Sequence, residues 1–124
     1  MAKEELKEEI KIEIDNLERL NREMKQLLTK IEDKPSFIEV RAAGSILHDF
    51  YCGVERILER IALSVDKNLP KGENWHIELL LQMAKPLAEI RDMIITKALL
   101  QNLKEYLRFR HLFRHIYGFE LKWD

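Results

Sequence analysis

From about Glu4 to Asp33 apolar side chains keep returning to one face of a helix, and this pattern restricts the fold more than any other feature of the chain. Ile10, Leu17, Met24 and Ile31 recur every seven residues, Leu6, Leu20 and Leu27 hold the second seam position, and Ile14 and Leu28 widen the stripe. Charges fill the other faces, with Glu18 and Arg22 at a favourable i,i+4 spacing. Such a helix is stable only when other helices cover its stripe. Glu13 interrupts the seam.

The chain has only four glycines and three prolines, so long helices should follow. Asp33-Lys34-Pro35 breaks the first, and Ser36-Phe37-Ile38-Glu39 reads as a capping box opening the second. That helix should reach about Val65, with Val40, Ala43, Leu47, Phe50, Val54, Ile57 and Ile61 at alternating three and four spacing. Gly44 and Gly53 each cost about 1 kcal/mol against alanine there. Ala42-Ala43-Gly44-Ser45 suggests close approach of a neighbouring helix. Asp66 to Asn74, with Pro70 and Gly72, should be a loop whose Asn74 caps a short helix from Trp75 to Ala84. Pro86 suits the first turn of a fourth helix. No glycine or proline follows from Leu87 to Tyr117, so that helix should run to the stop at Gly118. Ile90, Ile94, Leu99, Leu103 and Leu107 drift in phase, which predicts a bend near Tyr106 to Phe109. No segment alternates with period two, so an all-α fold without a sheet is expected, as one domain over residues 1–124.

At 46% hydrophobic and 35% charged, the chain is too apolar for a disordered one and too charged for a membrane protein. No run of about 18 apolar residues would cross a bilayer. The N-terminus lacks the basic stub and apolar run of a secretory signal, and the single Cys52 fits a reducing cytoplasm. A net charge of −1 gives no overall pull toward nucleic acid. A local basic patch does exist: Lys97, Lys104, Arg108, Arg110, Arg114 and Lys122 stand against only Glu105 and Glu120 in the same stretch, while Glu4, Glu5, Glu8, Glu9, Glu13 and Asp15 gather at the other end.

That basic stretch also holds the densest chemistry-bearing cluster, Arg110, His111, Arg114, His115 and Tyr117. A histidine titrates near neutrality and moves protons. An arginine offers a fixed fork to phosphate and stabilises charge building on it. On a straight helix five residues turn about 140° from the starting face, so Arg110 and His115 diverge unless a helix end, a bend or a second subunit reunites them. Arg110 and Tyr117 align, as do His111 and His115.

The run from Phe109 to Tyr117 resembles the signature of the HEPN superfamily, and more narrowly the Arg, four residues, His, one residue, Tyr pattern of HepT-like toxins, matched by Arg110, His115 and Tyr117. His48-Asp49-Phe50-Tyr51, Val54-Glu55-Arg56-Ile57 and Asn74-Trp75-His76 are similar to HepT-related segments, so the resemblance covers roughly Ile38 to Trp123. It implies an antiparallel bundle of four or five helices, a homodimer with two motifs lining one cleft, and metal-independent endoribonuclease activity needing no cofactor. By the same resemblance Arg110 would hold phosphate and His115 would act as general acid or base, with His111, Arg114 and Tyr117 in support. A partner nucleotidyltransferase antitoxin, as in type VII-like toxin–antitoxin systems, would add AMP to Tyr117 and so repel RNA.

Plainer readings stand beside these. His111 with His115, and His48 with Cys52, have a spacing that two zinc ligands can share, but zinc needs three or four. Cys52 suits a small buried site, His76 a local hydrogen bond after the Asn74 cap, and Asp49 and Glu55 a solvated face. Tyr106, Phe109 and Phe113 suit the core better than base stacking. Besides a nuclease, the chain fits a non-catalytic HEPN subunit that presents substrate or nucleotide to a nucleotidyltransferase, or a purely structural bundle.

Overall fold

The computed structural model describes the backbone of residues 3–115 and the side chains of 4–112. These residues form four α-helices: α1 (Lys3–Lys30), α2 (Phe37–Ile61), α3 (Trp75–Met83) and α4 (Lys97–His115). Among the described residues there is no strand, only an isolated bridge between Leu87 and Arg91. None of the described helices is long and apolar enough to cross a membrane.

Helix α2 is the centre of the packing, touching α1 on one side and α3 and α4 on the other. Its start is the expected capping box: the Glu39 amide donates to Ser36 Oγ at 3.1 Å, and the Ser36 amide donates to Glu39 Oε1 at 2.8 Å. At its far end the helix loosens into one π turn, Ala62–Asp66, stopped by left-handed Lys67 at φ 57°. The core gathers Tyr51, Leu58, Ile61 and Ala62 from this central segment, Leu79, Leu80 and Met83 from α3, and Ile95, Leu100 and Leu103. Helix α1 comes close at Gly53, where a Cβ would sit 2.7 Å from Leu17 Cδ2; Ala43 and Gly44 are buried as well.

The charge that interrupts the α1 seam also belongs to this contact. Buried Glu13 accepts from Arg56 Nε at 2.6 Å and from Arg60 Nη1 at 3.1 Å, while Arg60 Nε donates to Glu9 at 2.7 Å. Burial by itself would raise the Glu13 carboxyl, but the hydrogen bonds and charge of Arg56 and the bond from Arg60 outweigh it and hold the group below its ordinary value.

Two expectations about the second half fail. Asn74 stands at the start of α3 but its side chain caps nothing; at ψ 22° it contributes its backbone carbonyl, which accepts from the Glu78 amide at 3.1 Å. The fourth helix does not begin at Pro86 but eleven residues later at Lys97, after a fixed loop. Tertiary bonds beat local propensity here. The Ile94 and Ile95 amides both donate to Met83 O, at 2.8 and 3.1 Å, folding the loop back on the end of α3. Arg91 is buried, its Nε and Nη2 each 2.6 Å from the two oxygens of Asp66, and Nη1 donates at 2.9 Å to Lys85 O and Asp92 O. Thr96 then caps the helix, its Oγ1 accepting from the Leu99 amide at 3.1 Å. Ile90, Ile94 and Leu99 are exposed, and the inward stripe is Leu100, Leu103 and Leu107. Helix α4 continues as an α-helix through Tyr106 to Phe109, the stretch where the sequence predicts a bend.

Arg91→Ala strands the Asp66 carboxylate, held low chiefly by its Arg91 hydrogen bonds, in a site with little water. The loss should be about 3–5 kcal/mol in denaturant unfolding at pH 7, and Arg91→Lys, without the two-pronged fork, should recover less than half. Glu13→Gln should cost about 1–2 kcal/mol at pH 7, discounted because Arg56 is half exposed. Because the folded Glu13 carboxyl sits below its ordinary value of 4.5, its contribution is complete above that pH and disappears as pH falls through the lower folded value. Wild type and Glu13→Gln should therefore converge in acid, which unfolding curves at pH 7 and pH 3 will check.

Candidate functional site

The inward stripe of α4 continues past Leu100, Leu103 and Leu107 to Arg110, at the same three and four spacing. An arginine thus takes a core register position, and its stem enters the interior instead of leaving the helix for water. Arg110 Nε is buried with no hydrogen-bond partner among the described residues, and the guanidinium charge acts on Tyr51 of α2.

Tyr51 is fully buried, and its hydroxyl makes no hydrogen bond of sound geometry among the described residues, although Glu55 lies close enough to act on it. Burial first, then the nearby Glu55 carboxylate, push the phenol above its ordinary range, against a smaller pull from Arg110. Glu55 lies one turn further along α2, on the same buried face as Tyr51 and Leu58, with 5% exposure. Its Oε2 is 2.6 Å from Nδ1 of His76 in the first turn of α3. The His76 ring also lies against the Trp75 ring, with centroids 3.6 Å apart. Glu59, another turn along, is raised by burial and then by Glu55, with His76 acting against it.

These groups border a groove of about 700 Å³. The α3 side supplies Glu73, Asn74, His76 and Ile77; the α4 side supplies Lys104, Leu107, Arg108, Arg110 and His111. Three basic side chains and two imidazoles therefore face one acidic side chain, Glu73, across an open trough suited to an anionic chain. A larger hollow of about 980 Å³ beside Asn68 to Lys71 contains neither histidine nor arginine.

Of the residues singled out from sequence, Arg110 and His111 meet in this groove. The side chains of Arg114 and His115, and Tyr117 as a whole, lie outside the described residues. Helix α4 carries backbone position 115 about 140° around from position 110. His48 and Cys52 approach each other, Nε2 to Sγ 3.7 Å, and among the described residues no three potential ligands gather for a metal ion. Tyr106 packs on Phe50, ring centroids 5.9 Å apart, as an aromatic of the interior does. Sequence reasoning missed His76 and Glu55 as a pair. One signal was available: Glu55 shares the register of Tyr51, Leu58 and Ala62, and a carboxylate on a buried stripe needs a partner.

The chain belongs to the HEPN superfamily as a HepT-like protein: the family model of HepT-like proteins matches residues 42–124, which takes in most of α2, the groove and α4. No curated protein and no solved structure matches the chain.

The bare Tyr51 hydroxyl makes a direct test of this interior. Tyr51→Phe should leave the unfolding free energy within about 1 kcal/mol of wild type, or raise it, because an unpaired buried polar group is removed and the ring is kept. A loss above about 2 kcal/mol in denaturant titration would show that the hydroxyl is bonded after all.

Proposed function

We propose that the chain is a metal-independent endoribonuclease toxin that works as a homodimer in the cytoplasm. The observation that carries this reading is Arg110, an arginine in a core register position whose guanidinium borders a basic groove with His111 beside it. Neither a structural bundle nor a surface-charge role asks for an arginine there, whereas phosphate binding does.

In this reading the RNA backbone lies along the groove, with Lys104 and Arg108 giving general attraction. Arg110 grips the scissile phosphate and stabilises the extra charge on its oxygens as the 2′-hydroxyl attacks. His115 serves as general acid or base, and His111, Arg114 and Tyr117 support it. Two copies of the motif share one cleft. A nucleotidyltransferase antitoxin silences the site by adding AMP to Tyr117, which puts negative phosphates where RNA phosphates would sit.

The purified chain should cut RNA in the presence of EDTA, leaving 2′,3′-cyclic phosphate ends, and should leave DNA intact because DNA has no 2′-hydroxyl. Arg110→Ala or His115→Ala should slow cleavage by about 10²–10⁴-fold and relieve growth arrest on expression. DNA cut as fast as RNA, or full activity in His115→Ala, rules the reading out. Co-expression with the nucleotidyltransferase should restore growth and add AMP mass to Tyr117, and Tyr117→Phe should escape that protection.

A further inference from the structure

We propose that His76 is a second catalytic histidine of this site, the general base that takes the 2′-hydroxyl proton, and that Glu55 positions it. The inference rests on the RNA-cleavage reading and extends it to two residues on other helices. An ionised carboxylate only accepts hydrogen bonds, so the 2.6 Å contact between Glu55 Oε2 and His76 Nδ1 puts the imidazole proton on Nδ1. Nε2 then carries the lone pair, as a base requires. Glu55 is buried and rigidly placed on α2, while His76 keeps about a fifth of its side chain exposed and lines the groove that Arg110 borders. The Trp75 ring against the imidazole fixes the remaining rotation. A histidine serving only to cap α3 would have no use for a carboxylate from another helix, and the α3 cap is not made by a side chain at all.

The step balances as a transesterification. The 2′-hydroxyl proton passes to His76 Nε2, and the 2′-oxygen forms a bond to phosphorus. The bond from phosphorus to the 5′-oxygen breaks, its electron pair stays on that oxygen, and the oxygen takes a proton from the acid, the role left to His115. The products are a 2′,3′-cyclic phosphate and a 5′-hydroxyl, and exchange with water resets both histidines.

The test compares two substrates, ordinary RNA and RNA with a 5′-bridging phosphorothiolate, whose thiolate leaves without needing a proton. For any one sample, the ratio of the two rates does not depend on how much of the protein is folded. His76→Gln, which can still donate a hydrogen bond to Glu55, should lose about 100-fold on both substrates. Glu55→Gln should lose at least tenfold on both, in kcat more than in KM. His115→Ala should be slow on RNA and recover on the phosphorothiolate. A His76→Gln enzyme as fast as wild type on RNA, or one that recovers on the phosphorothiolate, overturns the proposal while nuclease activity stands. Wild-type protein that cleaves neither substrate overturns the nuclease reading and this proposal together.

Discussion

Helix α2 has little surface to give to water, because α1 covers one side and α3 and α4 the other. A helix packed on several sides cannot confine all its polar residues to one solvated stripe, so a charge on a covered face needs a partner on the helix that covers it. Arg56 and Arg60 find Glu13 and Glu9 on α1, and Glu55 finds His76 on α3. Gly53 belongs to the same constraint, since its missing side chain leaves room for Leu17.

The groove follows from this packing. Arg110 occupies the position where another leucine would extend the α4 stripe, and its charge acts on Tyr51 of the crowded helix. Both carry buried polar atoms without hydrogen bonds among the described residues, an arrangement that by itself weakens a fold. Compensation comes from elsewhere in the molecule. The Arg91–Asp66 pair, buried and two-pronged, fixes the loop between α3 and α4 and with it the angle at which the last helix leaves the core.

Much of this was legible in the residues. The heptad stripe of α1 and the Ser36 capping box gave helix positions within a few residues of those observed, because both signals act over one or two turns. The resemblance carried by Arg110, His115 and Tyr117 agreed with the family that the match over residues 42–124 shows. Reading failed where distant partners decide. Lys85 to Thr96 looks helical by composition, yet Met83 O and Asp66 hold it as a loop. Glu55 and His76 looked like a solvated acid and a cap neighbour, being 21 residues apart with nothing local to join them.

The sequence alone determined that this chain is a set of amphipathic helices ending in a basic, histidine-rich segment, since hydrophobic period and charge order are properties of neighbours along the chain. Only the tertiary structure decided that α4 starts at Lys97, that Arg110 turns inward toward Tyr51, and that a carboxylate from α2 holds a histidine of α3 at the edge of the same groove. Those outcomes depend on desolvation and on pairing across helices, and neither can be counted before the helices are packed.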